Sequence, residues 1–405
     1  MRKKYALIGT GHRGYTMFAK PLHEKFSDVA EFVGVCDPNR VRAEYVSEKC
    51  GGVPVYDDFD DMLARSGADT VIVTTIDSTH HEYIIRSLRA GCDVISEKPM
   101  TTDDEKCRAI LAAEQETGRK VTVTFNVRFI PYVRRVKELI VSGAIGDILS
   151  VNLEYTLDTD HGADYFRRWH RHMEYGGGLL VHKSTHHFDM INWWVDDVPD
   201  EVFAFGSTKF YGPTRQERGE RCSTCAYTAT CEFYKDISKD EDLRGLYVNA
   251  EHVDGYYRDQ CVFGDNITTY DTMSVLLKYA KGAQLTYSLD AHAPYEGWKV
   301  AINGVNGRIE AEDYEDPLAP GSGKQIRVYD RQGEVTVHHV PQVQGVHGGG
   351  DERLLRMLFR GDVADPLRQQ AGSWDGAQSI LIGISANRSI ASKQFISVQQ
   401  LLTEA

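Results

Sequence analysis

The hexapeptide Gly9-Thr-Gly11-His12-Arg13-Gly14 restricts this chain more than any other feature, because it follows the apolar run Tyr5–Ile8 directly and opens an amphipathic segment. A strand, a glycine turn and a helix in that order make a phosphate cradle. The glycines permit a tight turn, close backbone approach and close helix packing, and the helix N-terminus attracts an anion. The pattern alone is common. Here Asp37 ends the next apolar run, Phe32–Cys36, where a carboxylate accepts hydrogen bonds from the adenosine ribose of a dinucleotide. That carboxylate repels a 2′-phosphate, while Arg40 and Arg42 behind it offset some of the repulsion, and the balance favours NAD over NADP.

The surrounding sequence alternates strands with crossover helices. Tyr5–Ile8, Phe32–Cys36, Thr70–Thr74, Val94–Ser96 and Val121–Phe125 are short apolar runs. Arg40–Lys49, Thr79–Ala90 and Asp103–Thr117 carry apolar residues at helical spacing without proline. This predicts a doubly wound parallel sheet, a Rossmann domain, over residues 1–127. After a helical Pro131–Ser142 the runs lengthen and alternate: Ile148–Thr156, Val202–Phe210, Thr272–Tyr279, Gln284–Leu289, Ile326–Tyr329 and Val335–Val340. Lys281-Gly282 reads as a hairpin turn. Residues 128–405 are expected to form a second α/β domain with a large open, mostly antiparallel sheet, covered on one face by helices such as Thr185–Val195, Glu352–Phe359 and Ala377–Ser392. The final helices have the reach to pack back on the first domain. A chain of 405 residues exceeds the roughly 250–300 at which a single core stops growing, which agrees with two domains.

A formal net charge of −13 leaves no electrostatic footprint for nucleic acid or an anionic membrane. The N-terminus enters a strand without a signal-peptide pattern, and no apolar run approaches the roughly 18 residues of a membrane span. A cytoplasmic protein acting on a small molecule is the expectation.

Glu97-Lys98-Pro99 follows the strand ending at Ser96, and ligand sites in such sheets lie beyond the carboxyl ends of strands. Pro99 biases Lys98 toward extended backbone, and a lysine there can stabilise the alkoxide that develops as hydride leaves. Without its context the tripeptide reads equally as an exposed turn. Further on, Gly176-Gly-Gly178 leads into His182-Lys183-Ser-Thr-His186-His187. An imidazole titrates near neutrality and suits proton transfer. His182 and His186 share a face if the helix begins early enough, and Lys183 would keep a neighbouring imidazole neutral. His187 reads as packing.

Asn126 and Arg128 follow the last strand of the first sheet, where they can reach polyol oxygens, although Arg128 can equally pair with carboxylates. Trp169, inside Tyr165-Phe-Arg-Arg-Trp169-His-Arg-His172, suits the apolar face of a sugar. Tyr295-Glu-Gly-Trp298 and His347-Gly-Gly-Gly350 read as loops able to close on a ligand, with His347 the better contact. Cys222-Ser-Thr-Cys225 with Cys231 supplies three thiols in a short stretch, and Cys261 is the distal candidate for a fourth ligand. Structural zinc is the first expectation for that set, an iron–sulfur cluster the second, and free cysteines in a loop are the alternative.

The glycine turn, Asp37, His80, Glu97-Lys98-Pro99 and Gly176-Gly-Gly178 with His186 and Asp189 together resemble the Gfo/Idh/MocA oxidoreductases over nearly the whole chain. The resemblance implies that Lys98 sits beside nicotinamide and substrate and that His186 is the acid/base. It also implies that the segment Thr75-Ile-Asp-Ser-Thr-His80 contacts the nucleotide, and that the C-terminal sheet builds a homo-oligomer. Where the family commonly has an aspartate four residues before that histidine, this chain has His182. The expected activity is NAD-dependent hydride transfer to or from a secondary hydroxyl of a sugar, glycoside or cyclitol. The alternatives are a redox-neutral, NAD-using glycoside hydrolase or lyase and a non-catalytic nucleotide or sugar sensor.

Overall fold

The computed structural model describes residues 2–314, 323–341, 343 and 346–403, with the backbone alone at 346 and 347. Six parallel strands build the first sheet: β1 (Lys3–Ile8), β2 (Ala30–Cys36), β3 (Val55–Tyr56), β4 (Thr70–Val73), β5 (Asp93–Ser96) and β6 (Val121–Val123). Their order, β6-β5-β4-β1-β2-β3, reverses direction at β1, so the crevice at the carboxyl ends of β1 and β4 is the topological switch point. Thr70–Val73 is buried throughout because helices cover both faces of the sheet, and such strands read as continuous apolar runs. Asp103 accepts the Lys106 N–H to start the helix Asp104–Thr117, and Gly118, at φ 66°, stops it.

The second sheet contains β7 (Ile148–Asp158), β8 (Pro199–Ser207), β9 (Thr272–Tyr279), β10 (Gln284–Ala293), β11 (Gly297–Gly304), β12 (Gly307–Tyr314), β13 (Lys324–Asp330) and β14 (Val335–Val340). The short β15 (Ala371–Gly372) adds antiparallel to β6 of the first sheet, and β16 (Ile396–Ser397) completes the second beside β8. The second sheet runs β14-β13-β12-β11-β7-β10-β9-β8-β16 and is antiparallel except between β7 and β10. Along β9 the side chains Met273, Val275, Leu277 and Tyr279 are buried while Ser274, Leu276 and Lys278 are exposed, so one face is covered and the other open.

Helix Ser373–Ser392 is the covering element that matters most for the site. It is buried on most of its circumference, as expected of a helix enclosed by protein. Two glycines let it approach its neighbours. A Cβ at Gly376 would lie 3.1 Å from the sulfur of Met100, just after Pro99, and one at Gly383 would lie 2.3 Å from the carbonyl oxygen of Leu180. One rigid rod therefore supports both the Lys98 turn and the helix Leu179–His182.

Tyr295-Glu-Gly-Trp298, expected to be a loop, is only partly one: Gly297 and Trp298 begin β11, and a hairpin with β12 follows. Glycines at 297, 304 and 307 interrupt the alternation that would have revealed it. Between β8 and β9 a long excursion returns to the first sheet, where Arg42 Nε donates to Leu246 O at 2.9 Å and Asn39 Nδ2 to Ala250 O at 3.0 Å. Among the described residues no helix is long and apolar enough to cross a membrane.

Candidate active site

The glycine turn is built as the sequence demands. Gly9 has φ 89°, and a Cβ there would lie 2.6 Å from the Thr74 backbone. A Cβ at Gly14 would lie 2.4 Å from the Gly9 carbonyl oxygen. At both positions only glycine fits. Asp37 accepts the N–H groups of Thr10 at 2.7 Å and Asn39 at 2.8 Å, which fixes the carboxylate at the end of β2. Burial pushes its pKa up, and those N–H donors oppose the shift. One member of the turn has an unforeseen partner: the His12 N–H donates to Tyr247 Oη at 2.8 Å, from the long excursion.

The arginines behind Asp37 point elsewhere. Arg40 pairs with Glu44 and Asp57 at the surface, and Arg42 holds Leu246 and Asp254. Arg40 is committed to carboxylates and does not offset the charge of Asp37, whereas Arg42, although bound to Asp254, still acts on Asp37 by charge and lowers its pKa, as the sequence suggested.

Lys98 lies past the carboxyl end of β5. Its neighbour Glu97 is bound by Arg13 Nε at 2.9 Å, which ties the lysine turn to the glycine turn. Burial brings the Lys98 ammonium down to about 8, against the opposing charges of Glu97 and Asp77. Its Nζ donates to the carbonyl of His182 at 3.4 Å. His80, expected to contact the nucleotide, is 1% exposed, and both its ring nitrogens face carbonyls, Pro99 O at 2.9 Å and Thr75 O at 3.1 Å. It acts as a strut between the turns after β4 and β5, while Thr75 itself lies in the crevice beside Gly9.

The histidines do not share one continuous helix. Leu179–His182 ends before Thr185–Val195 begins, and the His186 N–H bonds Lys183 O. His182 Nδ1 lies 2.5 Å from Asp77 Oδ2. Burial raises the Asp77 pKa and lowers that of His182, and the Lys98 charge opposes the shift at Asp77 and adds to the one at His182. The His186 ring meets Phe125 edge-on at 6.1 Å, at the end of β6. His187 bonds Tyr287 Oη at 2.9 Å and packs on Tyr155, the packing role anticipated for it. Lys183 lies 3.8 Å from Glu296 and over the Tyr155 ring, where it lowers the His187 pKa after burial. Its charge also lowers the Lys98 pKa.

Trp169 is half-buried against the same cluster, stacked on His170 with centroids 3.6 Å apart and edge-on to His182 at 6.0 Å. The other substrate candidates fare differently. Arg128 is 2% exposed and bidentate to Asp189 at 2.6 and 2.7 Å, with Asp375 at 2.9 Å, so it is a core ion pair and not a polyol ligand. Its donors are consumed because two carboxylates from distant segments meet it. Asn126 donates to Asp351 at 2.5 Å and is 1% exposed, which makes it a link to the helix Gly350–Phe359. The His347 side chain lies outside the described residues.

Cys222, Cys225, Cys231 and Cys261 do line one small cavity. Among the described residues, however, the one group of three or more His, Cys, Asp or Glu whose ligand atoms lie within 4.8 Å of one another is Asp77, His170 and His182. Zinc with sulfur ligands at about 2.3 Å needs sulfurs roughly 3.8 Å apart. Instead Arg167 donates to Cys222 Sγ at 3.1 Å and the Tyr227 N–H to Cys225 Sγ at 3.4 Å. The structure does not support the zinc site expected there.

Three contributors escaped the sequence reading. Asp77 and His170 lay inside segments already singled out, but nothing local distinguishes them. Glu296 binds Tyr155 Oη at 2.7 Å and His161 Nδ1 at 2.8 Å, and Tyr165 Oη closes the circle to His161 at 3.2 Å. The Glu296 contacts join residues far apart in the chain, and only Tyr165–His161 is local, four residues apart on the helix Thr159–Arg167.

Residues 3–125 match the NAD-binding Rossmann fold of the Gfo/Idh/MocA oxidoreductase family, and residues 137–399 match its C-terminal alpha/beta domain. The chain is similar to "Putative oxidoreductase YteT" of Bacillus subtilis (strain 168), 39% identical over 98% of both chains. It is also similar to the inositol 2-dehydrogenase of Rhizobium meliloti (strain 1021), 25% identical over 98% of this chain and 100% of that one. The solved structure of an oxidoreductase from Agrobacterium radiobacter in complex with NAD+, L-tartaric acid and magnesium has a TM-score of 0.69 at 17% identity, over 99% of this chain and 100% of that chain, which shows a shared fold. The chain belongs to the Gfo/Idh/MocA oxidoreductase family.

Proposed function

We propose that the protein is an NAD-dependent dehydrogenase acting on a secondary hydroxyl of a sugar, glycoside or cyclitol. The observation that carries this reading is the position of Lys98: a buried ammonium, brought to about 8, held between the glycine turn through Glu97–Arg13 and the histidine cluster through the His182 carbonyl.

The residues present fit NAD. Gly9 and Gly14 let the turn pack against the backbone of Thr74 and Gly9 where a Cβ would clash, which is the tight turn a pyrophosphate needs, and Asp37 stands at the end of β2 for ribose hydroxyls. Arg40 and Arg42 are engaged with carboxylates, which favours NAD over NADP. When bound, NAD+ supplies the hydride acceptor. Lys98 binds the substrate oxygen and stabilises negative charge developing there. His186 accepts the hydroxyl proton. Trp169 offers a ring face to the carbon skeleton, and the inositol 2-dehydrogenase relative points to the same substrate class. Residues 1–127 serve as the cofactor domain and residues 128–405 as the substrate domain, which also joins copies through the open face of the second sheet.

The reading is tested by incubating the protein with NAD+ and a panel of free sugars, glycosides and cyclitols, following NADH absorbance and product mass. Stoichiometric NADH with a product two mass units lighter supports it. Cleavage without net NADH supports the redox-neutral enzyme, and silence across the panel supports a sensor.

A further inference from the structure

Asp77, His170 and His182 come from three separate places: the turn after β4, the single turn Trp169–Arg171, and the helix Leu179–His182. One ligand atom from each lies within 4.8 Å of the other two, and the residues are 3%, 4% and 8% exposed. His182 Nδ1 and Asp77 Oδ2 face each other, but His170 Nδ1 has no hydrogen-bond partner. The His170 ring is not free to turn away, because it is stacked on Trp169 and stands edge-on to His182 at 4.1 Å. A buried polar atom without a partner costs about 1–3 kcal/mol and calls for an explanation such as an ion or water. Gly176 also leaves room here, since a Cβ on it would lie 3.6 Å from Asp77 Oδ2 and 3.3 Å from the Trp169 ring.

We propose that Asp77, His170 and His182 form a three-ligand site for a divalent first-row transition metal ion. Two imidazoles and one carboxylate are a donor set that such ions take, whereas magnesium and calcium prefer oxygen alone. With metal–ligand distances of about 2.0–2.2 Å, ligand atoms around a tetrahedral ion lie roughly 3.3 Å apart, a spacing the observed cluster accommodates with small side-chain shifts. Three protein ligands leave a fourth position open, the arrangement of sites that bind water or substrate. The site adjoins Lys98, whose Nζ bonds the His182 carbonyl, so an ion there would stand beside a substrate hydroxyl bound by Lys98. The Lys98 charge opposes any dication there, and the two imidazoles select ions that prefer nitrogen.

The test needs no substrate and stands apart from the dehydrogenase reading. The full chain, stripped by chelator and dialysed, is titrated with Co2+ and, separately, loaded with Zn2+ and assayed by elemental analysis. One equivalent per chain is expected, with visible d–d bands of low-symmetry Co2+ and no sulfur-to-cobalt charge transfer in the near ultraviolet. His170→Ala and Asp77→Asn are each expected to weaken binding at least tenfold, while Cys222→Ser leaves it unchanged, with circular dichroism showing that each variant is folded. Absence of stoichiometric binding in the wild-type chain overturns the proposal. So does binding that survives both His170→Ala and Asp77→Asn, or that disappears in Cys222→Ser with a thiolate band in the wild type.

Discussion

Arg13 and Glu97 join the two turns on which the site depends, with the guanidinium Nε donating to Glu97 Oε1 at 2.9 Å. Glu97 also acts on Lys98 by charge, holding the lysine pKa higher than burial alone would. A lysine that stabilises an alkoxide must be protonated, so kcat/KM for oxidation falls as pH rises through about 8. In Glu97→Gln the raising charge is lost and the alkaline limb moves to lower pH. A pH–rate profile of the two proteins checks this. An unmoved limb means that a group other than Lys98 sets it.

Gly383 lies within a helix, where alanine ordinarily stabilises by about 1 kcal/mol. Here the added methyl would stand 2.3 Å from Leu180 O, backbone that cannot step aside. Gly383→Ala is expected to lower the melting temperature and to reduce kcat at least tenfold by displacing the His182 helix from Lys98, with little change in NAD affinity. A variant as stable and active as wild type would show that this contact does not position the site.

Arg128 and Asp189 form a pair that burial isolates from water. Against burial, Asp189 and Asp375 hold the guanidinium protonated more firmly than usual. Removing one partner strands the other charge, at a cost of about 3–5 kcal/mol. Arg128→Met should therefore unfold at markedly lower denaturant concentration. If instead it folds normally and only raises the KM for substrate, the arginine is a ligand after all.

Glu296 titrates from about 2 rather than its ordinary 4.5, because His161, Lys183 and Tyr155 outweigh the opposing effect of burial. A depressed carboxylate adds stability that is complete above about 4.5 and is lost as pH falls toward 2. Glu296→Gln is expected to melt below wild type at pH 7, with the gap narrowing through that window. A gap independent of pH would assign the loss to packing.

The sequence made the scaffold legible where one local rule decides the outcome. The helices Arg40–Lys49 and Thr185–Val195 and the strand Thr272–Tyr279 have the limits their patterns predict. Gly9, Gly14 and Lys98 are legible because backbone geometry and strand ends restrict what can stand there. The hairpin of β11 and β12 was hidden by its glycines. Arg128 was misread because its fate depends on Asp189 and Asp375, brought together only by the fold. The same reason kept Asp77, His170 and Glu296 out of view. Their partners lie on other elements, and no spacing rule reaches that far. His182 and His186 are four apart, yet the helix breaks between them.

Net hydride transfer from a substrate carbinol to NAD is read by following an isotope on the reacting carbon. A substrate from the active part of the panel, deuterated at the reacting carbon, is turned over once with stoichiometric NAD+ by wild type and by Lys98→Met. Deuterium is expected at nicotinamide C4, with a keto product lacking it and at least a thousandfold slower transfer in the variant. Deuterium returned to a cleaved sugar, or equal transfer without Lys98, would contradict the dehydrogenase reading.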